Sequence, residues 1–160
     1  MKTAQEWFDE YGVSHQNPTN KFIHWICVPT IFFSIAGLLV SIPSDSIASF
    51  FPPSISAFVN FGSLAILLTC ILYYSISRTL FFGMLLFSAF TVWLNVRIMQ
   101  SSETPLWAIS LTLFVLAWIG QFIGHKIEGK KPSFLKDLQF LLVGPAWLLG
   151  FIYKRLGISY

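Results

Sequence analysis

Read from the N-terminus, the chain alternates long apolar stretches with short polar breaks. Four stretches, at 22–42, 55–76, 80–99 and 106–127, each supply the roughly 20 apolar residues that an α-helix needs to cross the hydrocarbon of a bilayer. Pro43 closes the first, and Pro52 and Pro53 precede the second. Ser77, Arg78 and Thr79 make a tight connection into the third, and residues 101–105, ending in Pro105, divide the third from the fourth. A fifth stretch, 134–153, is interrupted. It carries Lys136 and Asp137 near its start and the pair Gly144, Pro145 at its middle. A glycine and a proline side by side break a helix, so a broken helix pair is expected here, re-entrant or lying at the interface rather than spanning.

Ahead of the first span, residues 1–20 place Trp7, Phe8 and Tyr11 at helical spacing among Glu6, Asp9 and Glu10. An amphipathic interfacial helix is expected, and the segment lacks the basic start and short apolar core of a cleaved signal peptide. Together these patterns predict an all-α fold. The expected architecture is a polytopic membrane helical bundle, one integral membrane domain over 1–160, with four transmembrane helices and a broken C-terminal helix pair.

Composition supports that class, since 55% of residues are hydrophobic and only 11% charged, against about 25% charged in soluble domains. The net charge of +3 calls for no nucleic-acid partner, because topology explains the basic residues. They are absent between the first two spans, but Arg78 follows the second and Lys126, Lys130, Lys131 and Lys136 follow the fourth. By the positive-inside rule those ends face the cytoplasm. Lys154 and Arg155 agree if the fifth stretch does not cross. Arg97, near the outer end of the third span, is the exception, and its long stem can snorkel or pair with Glu103. In a bacterium such a bundle belongs in the inner membrane. Cys27 and Cys70 both fall inside spans and offer no disulfide framework.

Chemistry concentrates at one end of the bundle. The chain's three histidines sit beside spans, His15 and His24 where the first begins and His125 where the fourth ends. Polar groups at membrane depth are costly unless they bind or react with something. The topology brings both helix ends to the cytoplasmic side. Asn17 is placed to cap a helix whose first residue is Pro18, after which Asn17, Asn20 and His24 share one face. Gln121, His125 and Glu128 share another. Three neutral imidazoles meeting there suit Fe(II), Zn(II) or another borderline metal, with the amides and the carboxylate orienting the rings and Glu128 a further possible ligand. Two other readings stay open on spacing alone: a hydrogen-bonded cluster that holds helices together in a scaffold or lipid-binding subunit, and a metal-free acid/base or ligand-binding role. A zinc-dependent lipid hydrolase is a further alternative. A serine nucleophile is poorly supported, because Ser14 beside His15 has no glycine-rich elbow and no placed acid.

The set His15, Asn17, Asn20, His24, Val28, Pro29, followed by Gln121, Gly124, His125, Glu128, Gly129, Pro132 and Gly144, Pro145, resembles the membrane-bound 2-hydroxy fatty acid dioxygenases over nearly the whole chain. The resemblance implies a small helical membrane bundle and Fe(II)-dependent alpha-oxidation. A long-chain 2-hydroxy fatty acid would react with dioxygen and lose its carboxyl carbon, giving the acid one carbon shorter. His15, His24 and His125 would correspond to the family's motif histidines, and in a eukaryote the membrane would be the endoplasmic reticulum. The carboxylate would be drawn in by Lys126, Lys130 or Lys131, with the acyl tail along Phe22, Trp25 and Trp118.

Overall fold

The computed structural model describes residues 2–129 and 140–160, so Lys130, Lys131, Lys136 and Asp137 lie outside the described residues. Among those described there are eight helices and no strand. They are α1 (Ala4–Gly12), α2 (Pro18–Val40), α3 (Asp45–Ala48), α4 (Pro53–Ser56), α5 (Phe61–Ile76), α6 (Arg78–Ser101), α7 (Leu106–Glu128) and α8 (Val143–Arg155). The predicted all-helical class holds.

Three helices, α2, α6 and α7, are long and apolar enough to cross a membrane. The expected span at 55–76 divides instead. Asn60 adopts an extended backbone and accepts a bond from Ser63 N at 2.9 Å, so it starts a new helix and leaves α5 with 16 residues. Local capping prevails there over continuous hydropathy. Ser77 alone joins α5 to α6, its hydroxyl capping the latter through Leu80 N. Arg78 therefore belongs to α6 and not to the turn. Arg97 is exposed and makes no ion pair with Glu103; among the described residues the ion pair is Lys2–Glu10.

Helices α2 and α7 are the antiparallel spine, and small residues set their spacing. A side chain at Gly124 would collide with Asn20 Oδ1, one at Gly120 would meet Cys27 Sγ at 2.6 Å, and one at Gly37 would collide with Ser110 and Asn95. Close backbone approach of this kind is how membrane helices associate when lipid offers no hydrophobic drive between them. The outward faces of α5, α6 and α7 present Leu67, Ile71, Phe82, Leu86, Leu116 and Ile123, each more than half exposed. So large an apolar surface on a protein this size suits association with a membrane.

Helix α8 is not among the helices long and apolar enough to cross a membrane. Its 13 residues reach about 20 Å, and it returns toward the end of the bundle where α6 begins. Just before it, the Leu142 carbonyl accepts from Tyr73 Oη at 2.6 Å, while near its other end Tyr153 Oη donates to the Thr79 carbonyl at 3.0 Å. Gly144 and Pro145 fall in its first turn, where a proline gives up an N–H that has no intrahelical partner anyway. A core of Phe8, Tyr11, Leu80, Met84, Trp147 and Leu148 fixes α8 between α1 and α6, over the start of α2.

Candidate metal centre

Each histidine is positioned by its own element. α1 opens with a capping box in which Thr3 and Glu6 satisfy each other's backbone N–H groups, and it ends just before His15. Asn17 Oδ1 then accepts from Thr19 N at 2.8 Å and Asn20 N at 3.4 Å, with Pro18 the first residue of α2. His24 follows two turns on. α7 brings in His125 and ends one turn later at Gly129, whose φ of 72° favours glycine.

The three rings converge. One ligand atom from each of His15, His24 and His125 lies within 4.8 Å of the other two, and all three residues are at most 4% exposed. His15 Nε2 and His24 Nε2 are 2.8 Å apart. Their other nitrogens face carbonyls, His15 Nδ1 at 2.6 Å from Tyr11 O and His24 Nδ1 at 2.9 Å from Asn20 O. A carbonyl only accepts, so both Nδ1 atoms carry the proton in the neutral rings, which leaves two Nε2 lone pairs pointing at each other. That contact is repulsive unless a cation lies between them. Ligand nitrogens about 2.1 Å from a metal stand about 3 Å apart when adjacent on an octahedron, and the donor set fits such an ion. Carbonyls fixing the tautomer of ligating imidazoles are the usual outer support.

Burial keeps His15 neutral, lowering its pKa from 6.5 to about 4 against the opposing pull of the Tyr11 carbonyl. Tyr11 stacks on the same ring at 4.1 Å between centroids, and Trp147 of α8 stands 5.5 Å away.

The other predicted site residues surround this core. Glu128 lies outside the cluster of three. Its carboxylate accepts from Gln16 N at 2.8 Å, Asn17 N at 2.9 Å and Asn20 Nδ2 at 2.9 Å, where the start of a helix favours negative charge. It thus ties the loop that carries His15 to the end of α7. Asn20 is fully buried, its carbonyl orienting His24 and its amide holding Glu128 and, at 3.2 Å, Ser14 O. Gln121 is buried one turn before His125. Phe22 and Trp25 are exposed on the outer face of α2, while Trp118 is buried.

A polar groove of about 380 Å³ opens beside His15 between α1 and α8, with Lys21, Lys154, Asp9 and Gln16 among its walls. Lys126 is exposed and is not among the residues lining it. Lys21 had a signal in the sequence, three residues before His24 on a helix; Lys154 had none, since it depends on how α8 folds back.

The comparisons with known proteins place the chain in a family. The sequence profile of the family described as "2-hydroxy-palmitic acid dioxygenase Mpo1-like" matches residues 1–156. A relative from Saccharomyces cerevisiae, "2-hydroxy-palmitic acid dioxygenase MPO1", is 31% identical over 147 residues, covering 90% of this chain and 76% of its own length. No solved structure matches. A profile match across nearly the whole chain, together with that relative, shows that the protein belongs to the Mpo1-like 2-hydroxy-palmitic acid dioxygenase family.

Proposed function

We propose that this protein is an Fe(II)-dependent dioxygenase converting long-chain 2-hydroxy fatty acids to the fatty acids one carbon shorter, with His15, His24 and His125 as the metal ligands. The observation that carries the reading is the pair of Nε2 lone pairs 2.8 Å apart, with a third buried imidazole beside them. A ferrous ion held by three imidazoles supplies open positions for a chelating hydroxy acid and for dioxygen. Written with carbon dioxide and water as the other products, the reaction balances with one dioxygen and no external reductant.

The chain's own residues provide the setting. The carbonyls of Tyr11 and Asn20 hold two rings in the tautomer that presents Nε2. Glu128 and Asn17 act as positioning residues, keeping the His15 loop against the start of α2. The groove beside His15 admits the substrate's headgroup from the cytoplasmic face, with Lys21 and Lys154 drawing in the carboxylate. Asp9 on the same wall limits that pull. The acyl chain stays on the membrane side.

The test is mass spectrometry of products after detergent-purified, Fe(II)-loaded protein receives 2-hydroxypalmitate with and without dioxygen, beside the His24→Ala variant. An oxygen-dependent acid one carbon shorter is expected from the native protein, with loss of both product and bound iron in the variant. Unchanged product from a folded His24→Ala variant would remove the assignment of the site. Zinc retained with ester or amide hydrolysis would replace the reaction itself.

A further inference from the structure

Among residues that neighbour the histidines along α2 and α7 lies a small, partly open chamber of about 30 Å³, walled by Tyr11, Val28, Ile31, Trp118, Gln121 and Leu141 among others. Its walls stand in a fixed relation to the rings. Val28 follows His24 by four residues on α2, and Gln121 precedes His125 by four on α7. Positions four apart share a helix face, and α2 and α7 run antiparallel. Val28 and Gln121 therefore both lie one turn further into the bundle than their histidines. The chamber is stacked under the centre on the two helices that supply His24 and His125, and Tyr11, whose ring stacks on His15, adds a third wall.

Its size and chemistry narrow the occupant. A volume of about 30 Å³ accommodates a diatomic molecule or two waters, and a mainly apolar wall disfavours the waters. A long acyl chain does not fit in it. Leu141 also lines an apolar groove of about 150 Å³ between α2 and α5, so the chamber has an apolar neighbour on the side away from the polar groove. Dioxygen is apolar and partitions into hydrocarbon in preference to water. We propose that this chamber holds dioxygen, reached from the membrane interior past Leu141, beneath a centre whose other reactant comes from the water-facing side. The proposal rests on the dioxygenase reading above.

Xenon is the probe, since it occupies apolar cavities without reacting. Xenon-129 NMR of the purified, iron-loaded protein is compared with Val28→Ile, which adds one methylene to the chamber, and Val28→Ala, which enlarges it. Gly144→Ala is a second filling variant, its new methyl meeting Val28 Cγ1 at 3.1 Å and Tyr11 Oη at 3.2 Å. The expected result is a bound-xenon signal that is lost on filling and strengthened on enlargement. With iron content retained, KM for dioxygen rises about fivefold to tenfold in Val28→Ile, while KM for 2-hydroxypalmitate is unchanged. No xenon signal from active native protein would remove the chamber's role and leave the reaction standing. So would a Val28→Ile variant that altered chain-length preference and not KM for dioxygen, which would assign the space to the start of the acyl chain. Native protein that consumes no dioxygen with any 2-hydroxy acid would remove the parent reading, and this proposal with it.

Discussion

At the scale of single residues, the centre depends on protons being kept where they are. His15 is neutral because burial disfavours its charged form, placing its folded-state pKa near 4 against 6.5 in an unfolded chain. Between those values the unfolded state binds more protons, so stability is full above about pH 6.5 and falls as the pH drops toward 4. Metal-free protein should show a flat thermal midpoint above neutrality and a declining one below it, with part of that slope absent in His15→Gln; the same slope in both would exclude His15 as its source. Glu128 acts differently. It accepts three N–H groups, and in Glu128→Gln one of the two oxygens becomes an NH₂ facing donors. Hydrogen bonds to a charged group contribute about 1.5–3 kcal/mol each, so a loss of about 1–3 kcal/mol in stability and about tenfold in metal affinity is expected. Isothermal titration with Fe(II) or a redox-stable surrogate checks this, and an unchanged affinity would make Glu128 dispensable to the site. Much of this scale was legible in the sequence. The Asn17–Pro18 helix start and the shared faces of Asn20 with His24 and of Gln121 with His125 need only helical periodicity. The partners of Glu128 were not legible, because a backbone N–H more than 100 residues away leaves no trace in local spacing.

At the scale of elements, hydropathy located the long helices but not their ends. Asn60 and Ser77 set the limits of α5 through side-chain caps, and a window averaged over 20 residues does not register a single cap. The α2–α7 contact is set by glycines that hydropathy scores as nearly neutral. Gly124→Ala should push against Asn20 Oδ1, costing about 1–3 kcal/mol as overpacking does, and should weaken metal binding because Asn20 orients His24. Gly12→Ala is the matched control, since its methyl would meet nothing closer than Trp147 Nε1 at 3.9 Å. Thermal melts and metal titration separate the two; equal effects would deny Gly124 any special place. The covering role of α8 was foreseen only as a broken segment. Its seat over His15 follows from tertiary bonds, Tyr153 to Thr79 and Tyr73 to Leu142, that no local pattern encodes.

At the scale of the whole molecule, the helices differ in reach. α2 and α7 have 23 residues each and α6 has 24, against 16 in α5. At 1.5 Å per residue α5 is about 24 Å long, short of a hydrocarbon layer about 30 Å thick. The exposed Phe50, Phe51, Ile55 and Phe58 lie on the chain just ahead of it. A bilayer crossed by α5 would thin on one flank of the protein, or the bundle would tilt, at a cost of fractions of a kcal/mol per Å. Thin membranes relieve that mismatch. The protein should consequently melt higher and turn over faster in nanodiscs of short-chain lipids than in long-chain ones, whereas indifference to thickness would mean the shortfall is absorbed within the bundle. A single asparagine cap would thereby set the bilayer thickness to which this protein responds.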